Sequence, residues 1–205
     1  MWTPEYTPEG CPISSMVTLE YNNSPHNKDG IKLIWMDGGL TPTIPEEIED
    51  EFIMNYDMGN SSGIMMLGAK GVITSEIYAN NPTLYIKGEA PVVFDTSKQP
   101  NVNDVHAATW TEACKAGFNS VEHKNLTSSF DYSGPFTETV IMGNLALRSR
   151  DLREFVGTRK NGSKIIKYYG RKKLLWDGEN MKIKNLEQAN AFVSKEYREG
   201  WNLPI

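Results

Sequence analysis

Asp37 stands two residues after Trp35 and Asp177 directly after Trp176, each just before a glycine, in LIWMDGG (33–39) and LLWDGEN (174–180). Two carboxylates at one cleft would allow general acid–base chemistry. Nothing in the sequence requires these two to share a cleft. Asp-Gly is first a turn former, because Asp bonds the backbone ahead of it and Gly accepts positive φ. The turn reading outweighs the catalytic one for both, more so for Asp177. His106 precedes Trp110 by one helical turn in VHAATWTEACKAG. A helix would place both on one face. A packing role outweighs a substrate contact for His106. Asp37, His106 and Trp110 are therefore the candidates for a substrate-facing surface, ahead of any other residues.

The other reactive side chains point to no site. The three histidines, His26, His106 and His123, share no metal-ligand spacing, and no HExxH or CxxC occurs. Cys11 and Cys114 are too far apart in sequence to form a metal motif, and two free thiols outweigh one disulfide. No GxGxxG follows a strand, and no GxxxxGK[ST] occurs, so the chain has no motif for cradling phosphates. The basic run 149–173 carries Tyr168 and Tyr169 and could be a stacking patch for an anionic ligand. The plainer reading, a solvated excursion between a helix and a strand, is favoured by the chain's acidic balance.

These residues need elements to position them. SMVTLEY (15–21) and IKLIWMD (31–37) alternate as strands, with turn chemistry in NNSPHNKDG between them. SGIMMLGAKGVITSEIY (62–78) predicts a hairpin turning at Ala69-Lys70-Gly71, and TLYIK (83–87) a further strand. A helix is expected from Asn101 or Asn103 to Gly117, with Asp104 at its positive end. A second is expected from Ser133-Gly134-Pro135 through FTETVIMGNLALRSR, apolar all round and so buried. A third is expected from Asn185, with Gln188 completing a capping box, to Gly200. Strands first and helices later predict an α+β fold: an open-faced, mostly antiparallel β-sheet with helices packed on one face. Ile31, Leu33 and Trp35 alternate with Ile34 and Met36, leaving apolar residues on both sides of one strand. The uncovered side is a candidate protein–protein surface.

Bulk properties set the outer bounds. The chain has 205 residues, 39% of them hydrophobic, and a formal net charge of −5. That suits one domain with a real core and argues against a general nucleic-acid binder. No apolar run is long enough to span a membrane. The first residues do not read as a secretory signal.

HAATWTEACKAG (106–117), SSFDYSGPFTETVIMGNLALR (128–148) and GRKKLLWDGENMKIKNLEQANAFVSKEYREGW (170–201) together resemble the C-terminal domain of the glucose–fructose oxidoreductase, inositol dehydrogenase and MocA family. The branch common in Bacteroidetes-type bacteria is the nearest in pattern. VTLEY, IKLIWMDGGL and GIMMLGAKGVI fit its first strands. The resemblance spans nearly the whole chain, with 150–171 longer than is typical.

The resemblance implies one C-terminal α/β domain over 1–205, in a bacterial cytoplasm or periplasm. Family members are NAD(P)-dependent oxidoreductases of sugars, cyclitols and related polyols. Their cofactor loop, a Glu-Lys-Pro lysine and a helix with Asp and His belong to the N-terminal Rossmann half, which these residues do not match. The expectation is a substrate-side and assembly domain with no catalytic, cofactor or metal residues of its own. NAD or NADP would be held by a Rossmann domain in cis or trans, and the chain would form a homo-oligomer through the open sheet face. Both Trp-Asp-Gly endings would then finish strands of one sheet. The alternative is a stand-alone interaction or carbohydrate-binding module of the same fold.

Overall fold

The computed structural model describes residues 10–25, 27–48, 62–100 and 102–201. His26 and the capping candidate Asn101 lie outside them. In chain order the elements are β1 (Met16–Tyr21), β2 (Ile31–Met36), β3 (Gly63–Gly68), β4 (Gly71–Glu76), β5 (Thr83–Tyr85), β6 (Val92–Val93), α1 (Val102–Ala116), α2 (Val121–Lys124), α3 (Phe130–Arg148), β7 (Arg153–Thr158), β8 (Lys164–Tyr168), β9 (Trp176–Asp177) and β10 (Lys182–Ile183). A 3-10 turn, Glu187–Phe192, follows β10. The fold is α+β with antiparallel pairing, and among the described residues the strands divide among four sheets. The chain forms two compact units, residues 1–40 with 130–205, and residues 41–129.

In the first unit β1 pairs antiparallel with β2, Val17 opposite Trp35 and Leu19 opposite Leu33. The alternation of SMVTLEY is realised: Val17 is buried while Thr18 and Glu20 are exposed. Helix α3 lies against β1, and a side chain at Gly143 would meet Val17 Cγ1 at 3.8 Å. That is ordinary contact, so an alanine would fit there, and the packing does not explain a glycine inside the helix. The main core of this unit gathers Ile183, Leu186 and Ala189, packed by Leu145 of α3, Leu152, Tyr169 and Trp176. A side chain as buried as Ile183, 2% exposed, contributes about 1.5–3 kcal/mol relative to leaving it in water.

Three expectations change here. The run 150–171 is not an irregular excursion, because β7 and β8 pair as an antiparallel ribbon with a bulge between Phe155 and Gly157. Its turn is closed by Arg159 and Ser163 around Asn161-Gly162. The third helix, 185–200, is replaced by the 3-10 turn of six residues. Asn185 does not cap it, because its amide is engaged elsewhere: it accepts from Leu175 N–H at 2.9 Å and donates to the Lys173 carbonyl at 2.8 Å. Helix α3 starts at Phe130, ahead of Pro135, and none of its residues is buried. Only one side of it has β1 and the 3-10 turn to pack against, so Phe136 and Val140 stay about three-fifths exposed (59% and 62%).

In the second unit β3 to β6 form a four-stranded antiparallel meander. Gly68 faces Gly71 across the two-residue turn Ala69-Lys70, as the hairpin reading anticipates. Its core is Ile48, Val72 and Tyr85, with Met65 against them. Helix α1 matches its expected bounds, and Gly117 ends it with an N–H donated to Ala113. Ala113 is buried on α1, and its other described side chains are exposed. The short helix α2 has no counterpart in the sequence reading; Ser120 caps it by accepting from His123 N–H at 3.1 Å.

Candidate functional site

Asp37 follows β2, where the β1–β2 ladder runs out. Its N–H donates to the Ser15 carbonyl at 3.1 Å, extending the ladder by one step. Ser15 N–H donates back to Asp37 Oδ1 at 2.6 Å. The Ser15 hydroxyl lies 3.1 Å from both carboxylate oxygens. The Trp35 indole N–H donates to Asp37 Oδ2 at 3.3 Å. The Asp37 carbonyl accepts from Leu40 N–H, closing a turn through Gly38 and Gly39. Gly38 sits at φ +63, and a Cβ there would come within 2.1 Å of the Ile13 carbonyl oxygen, so only glycine fits. The Asp-Gly turn is thus built around the carboxylate. Asp37 fixes the end of the strand pair and holds the rim of an indole that is 63% exposed.

The second Trp-Asp-Gly is built differently. Trp176 and Asp177 form β9, which pairs with β10 and not with β2, so the two stretches end strands of separate sheets. Asp177 accepts from Asn180 through both backbone and side chain, at 3.2 and 3.1 Å. The Asn180 side chain, then its backbone N–H, hold the Asp177 carboxyl below the usual carboxylate range. The Trp176 indole N–H donates to Glu138 of α3. These are turn and tie roles, with donors that the sequence could not assign.

His106 and Trp110 stand four residues apart on α1, both exposed, and belong to the second unit. The His106 carbonyl accepts from the Thr109 hydroxyl at 3.0 Å. Trp110 is 56% exposed. The pair shares a helix face as expected, and that face is not packed. The packing role expected for His106 is therefore not what this unit provides. His123, on α2, stacks obliquely on Phe118 with ring centres 4.9 Å apart.

Each described α-helix carries a carboxylate in its first turn. Asp104 lies in the first turn of α1, Glu122 in that of α2 and Asp131 in that of α3. A carboxylate there competes with a pyrophosphate for the positive helix end. The polar residue that the sequence reading missed is Asn190. It accepts from Ile183 N–H at 2.7 Å and donates to the Ile183 carbonyl at 3.1 Å. Asn190 thus pairs both backbone groups of the buried end of β10. Its place in a run resembling a helix hid that role. Among the described residues no helix is long and apolar enough to cross a membrane. Comparison with known protein families and with curated proteins finds no match for this chain.

Proposed function

We propose that this chain is the substrate-side and assembly domain of an NAD(P)-dependent oxidoreductase of the glucose–fructose oxidoreductase, inositol dehydrogenase and MocA type, acting on sugars, cyclitols or related polyols. The reading rests on the resemblance of 106–117, 128–148 and 170–201. One structural observation supports it most: a strand pair whose second member, IKLIWM, keeps Ile31, Leu33, Ile34 and Trp35 at least 41% exposed. Such a surface is costly in water and suits a domain made to be covered. The acidic first turns of the helices and the missing glycine-rich loop fit a domain that leaves the dinucleotide to another. Hydride transfer then requires a Rossmann domain in cis or trans, and no step of it is assigned to residues here.

The test is reconstitution. The chain, joined to or mixed with a Rossmann domain from this family, is assayed for NAD(P)-linked oxidation of a panel of sugars and cyclitols. Turnover that needs both parts supports the proposal. Turnover by the Rossmann domain alone, or none with any polyol, counts against it.

A carbohydrate-binding module is the second reading, favoured by Trp35. Its exposed indole is held edge-on by Asp37, leaving an apolar ring beside an acceptor, the pairing that sugar recognition uses. Glycan binding by the isolated chain that is lost in Trp35→Ala would favour it.

A further inference from the structure

The β7–β8 ribbon is firmly rooted and otherwise uncovered. At its root Tyr169 N–H donates to the Leu152 carbonyl at 2.9 Å, and both side chains pack on the main core of their unit. A Cβ at Gly170 would come within 2.3 Å of the Arg150 carbonyl, so the neck is closed tightly. Beyond the neck, only Gly157 and Ile166 of the two strands are even half-buried. The pairing puts Arg153 opposite Tyr168, Phe155 opposite Ile166 and Thr158 opposite Lys164. Alternation along β8 sets Lys164, Ile166 and Tyr168 on one side, so that side presents two aromatic rings between two cations. Among the described residues both outer edges of the ribbon are unpaired.

The charge is as segregated as the surface. Residues 149–173 hold nine of the 21 Lys and Arg but two of the 26 Asp and Glu, a net +7; the remaining residues hold twelve against twenty-four, a net −12. Among the described residues, Lys173 is the one cation of the nine in an ion pair, with Glu20. A free polyanion meets a chain that repels it overall. A second copy carries, outside its own ribbon, twelve more carboxylates than Lys and Arg, and the reverse contact follows by symmetry.

We infer that the β7–β8 ribbon is a clasp for a second copy of this chain: its Arg153–Lys164 side, with Phe155 and Tyr168, docks on carboxylates outside the ribbon of the partner copy, whose net charge there is opposite, reciprocally. This goes beyond the sheet-face assembly proposed above and stands without it. The two contacts use different residues and answer differently to salt.

Sedimentation velocity of the whole chain at several concentrations tests it, in about 0.05 M and about 0.5 M salt, where the screening length falls from roughly 14 to 4 Å. Wild type, Ile34→Lys and the double variant Arg153→Glu, Lys164→Glu are compared, with thermal melts to show that each folds. The expected result is a self-association that weakens at least tenfold in high salt and in the double variant, with the salt response retained in Ile34→Lys. Association indifferent to both salt and the double variant overturns the inference, as does a wild type monomeric at every concentration. Binding of a fluorescent oligonucleotide by the monomer, lost in the double variant, also overturns it and gives the ribbon to a nucleic acid.

Discussion

The indole N–H of Trp176 donates to the carboxylate of Glu138, tying β9 to the middle of α3 across 38 residues of sequence. Gly178 lies beside this bond; a Cβ there would approach Glu138 Oε1 to 2.9 Å. Glu138→Ala leaves the part-buried indole N–H without its partner, at an expected cost of about 1–2 kcal/mol. Glu138→Gln keeps an acceptor and should lose less than half as much. Urea midpoints for the three proteins decide it; equal loss in both variants would mean that charge, not the bond, matters.

Asn190 holds the two backbone groups of a residue that is 2% exposed. Asn190→Ala abandons a donor and an acceptor together and should cost about 2–4 kcal/mol, near the sum of two unmet groups. Asn190→Asp keeps the acceptor for Ile183 N–H but sets oxygen against the Ile183 carbonyl, so it should be no milder. Hydrogen exchange at Ile183 reports the event directly, and unchanged protection in Asn190→Ala would refute the clamp.

How far the sequence carried this fold depended on whether a residue's partner was local. Helix α1 was legible because Asp104 near its start and Gly117 just past its end mark its bounds locally. The β3–β4 hairpin was legible because two apolar runs flank Ala69-Lys70-Gly71. The ribbon was missed although Asn161-Gly162 is a strong hairpin turn, because nine cations nearby read as solvated loop. Asn185 and Gln188 had the spacing of a helix cap, yet Asn185 spends its amide on Lys173 and Leu175, a partnership no window of sequence displays. The role of Asp37 lay with Ser15, 22 residues upstream. Its Asp-Gly turn was readable; the donor that makes the carboxylate structural was not.

Asp37 therefore lends itself to a substitution series. Asp37→Ala removes the acceptor for Ser15 N–H and frees the Trp35 ring, at an expected cost of about 1–3 kcal/mol. Asp37→Asn keeps an oxygen for Ser15 N–H and should cost about half. Gly38→Ala, forced to hold φ +63 against the Ile13 carbonyl, should cost roughly 1–3 kcal/mol by strain alone. Trp35 fluorescence should shift in the two Asp37 variants and not in Gly38→Ala. The same shift in all three would mean that the turn, rather than the carboxylate, holds the indole.

Acid should loosen the first unit. The bond from Lys173 holds the Glu20 carboxyl below its usual range, and the bonds from Asn180 do so for Asp177. A carboxyl depressed on folding adds stability above its unfolded pKa, and that stability is lost as pH falls through the folded value. The urea midpoint should therefore fall from about pH 5 downward. Lys173→Met removes the Glu20 part, so its midpoint should start lower and fall less steeply. Both groups are solvent-exposed, so added salt should flatten the difference. Parallel curves for wild type and Lys173→Met would show that the ion pair carries no linkage.

The strand pair makes the assembly proposal specific to a face. Val17, Leu19 and Tyr21 are cross-strand neighbours of Trp35, Leu33 and Ile31, and that side of β1 is the one α3 covers. Ile34 and Met36 lie on the other side, opposite Thr18 and Met16. Ile34 is 43% exposed and Leu33 41%, so a lysine at either has room in a single copy. Only a covered face turns that lysine into a buried unpaired charge, costing on the order of 3–5 kcal/mol. Ile34→Lys should therefore dissociate a sheet-face oligomer while Leu33→Lys leaves it assembled, with similar melting of the monomers. A stable pairing should bury about 1,200–2,000 Å². Sizing of the three proteins across concentration separates the cases. Dissociation by Leu33→Lys alone assigns the contact to the α3 side of the strand, and dissociation by neither removes this sheet from the interface.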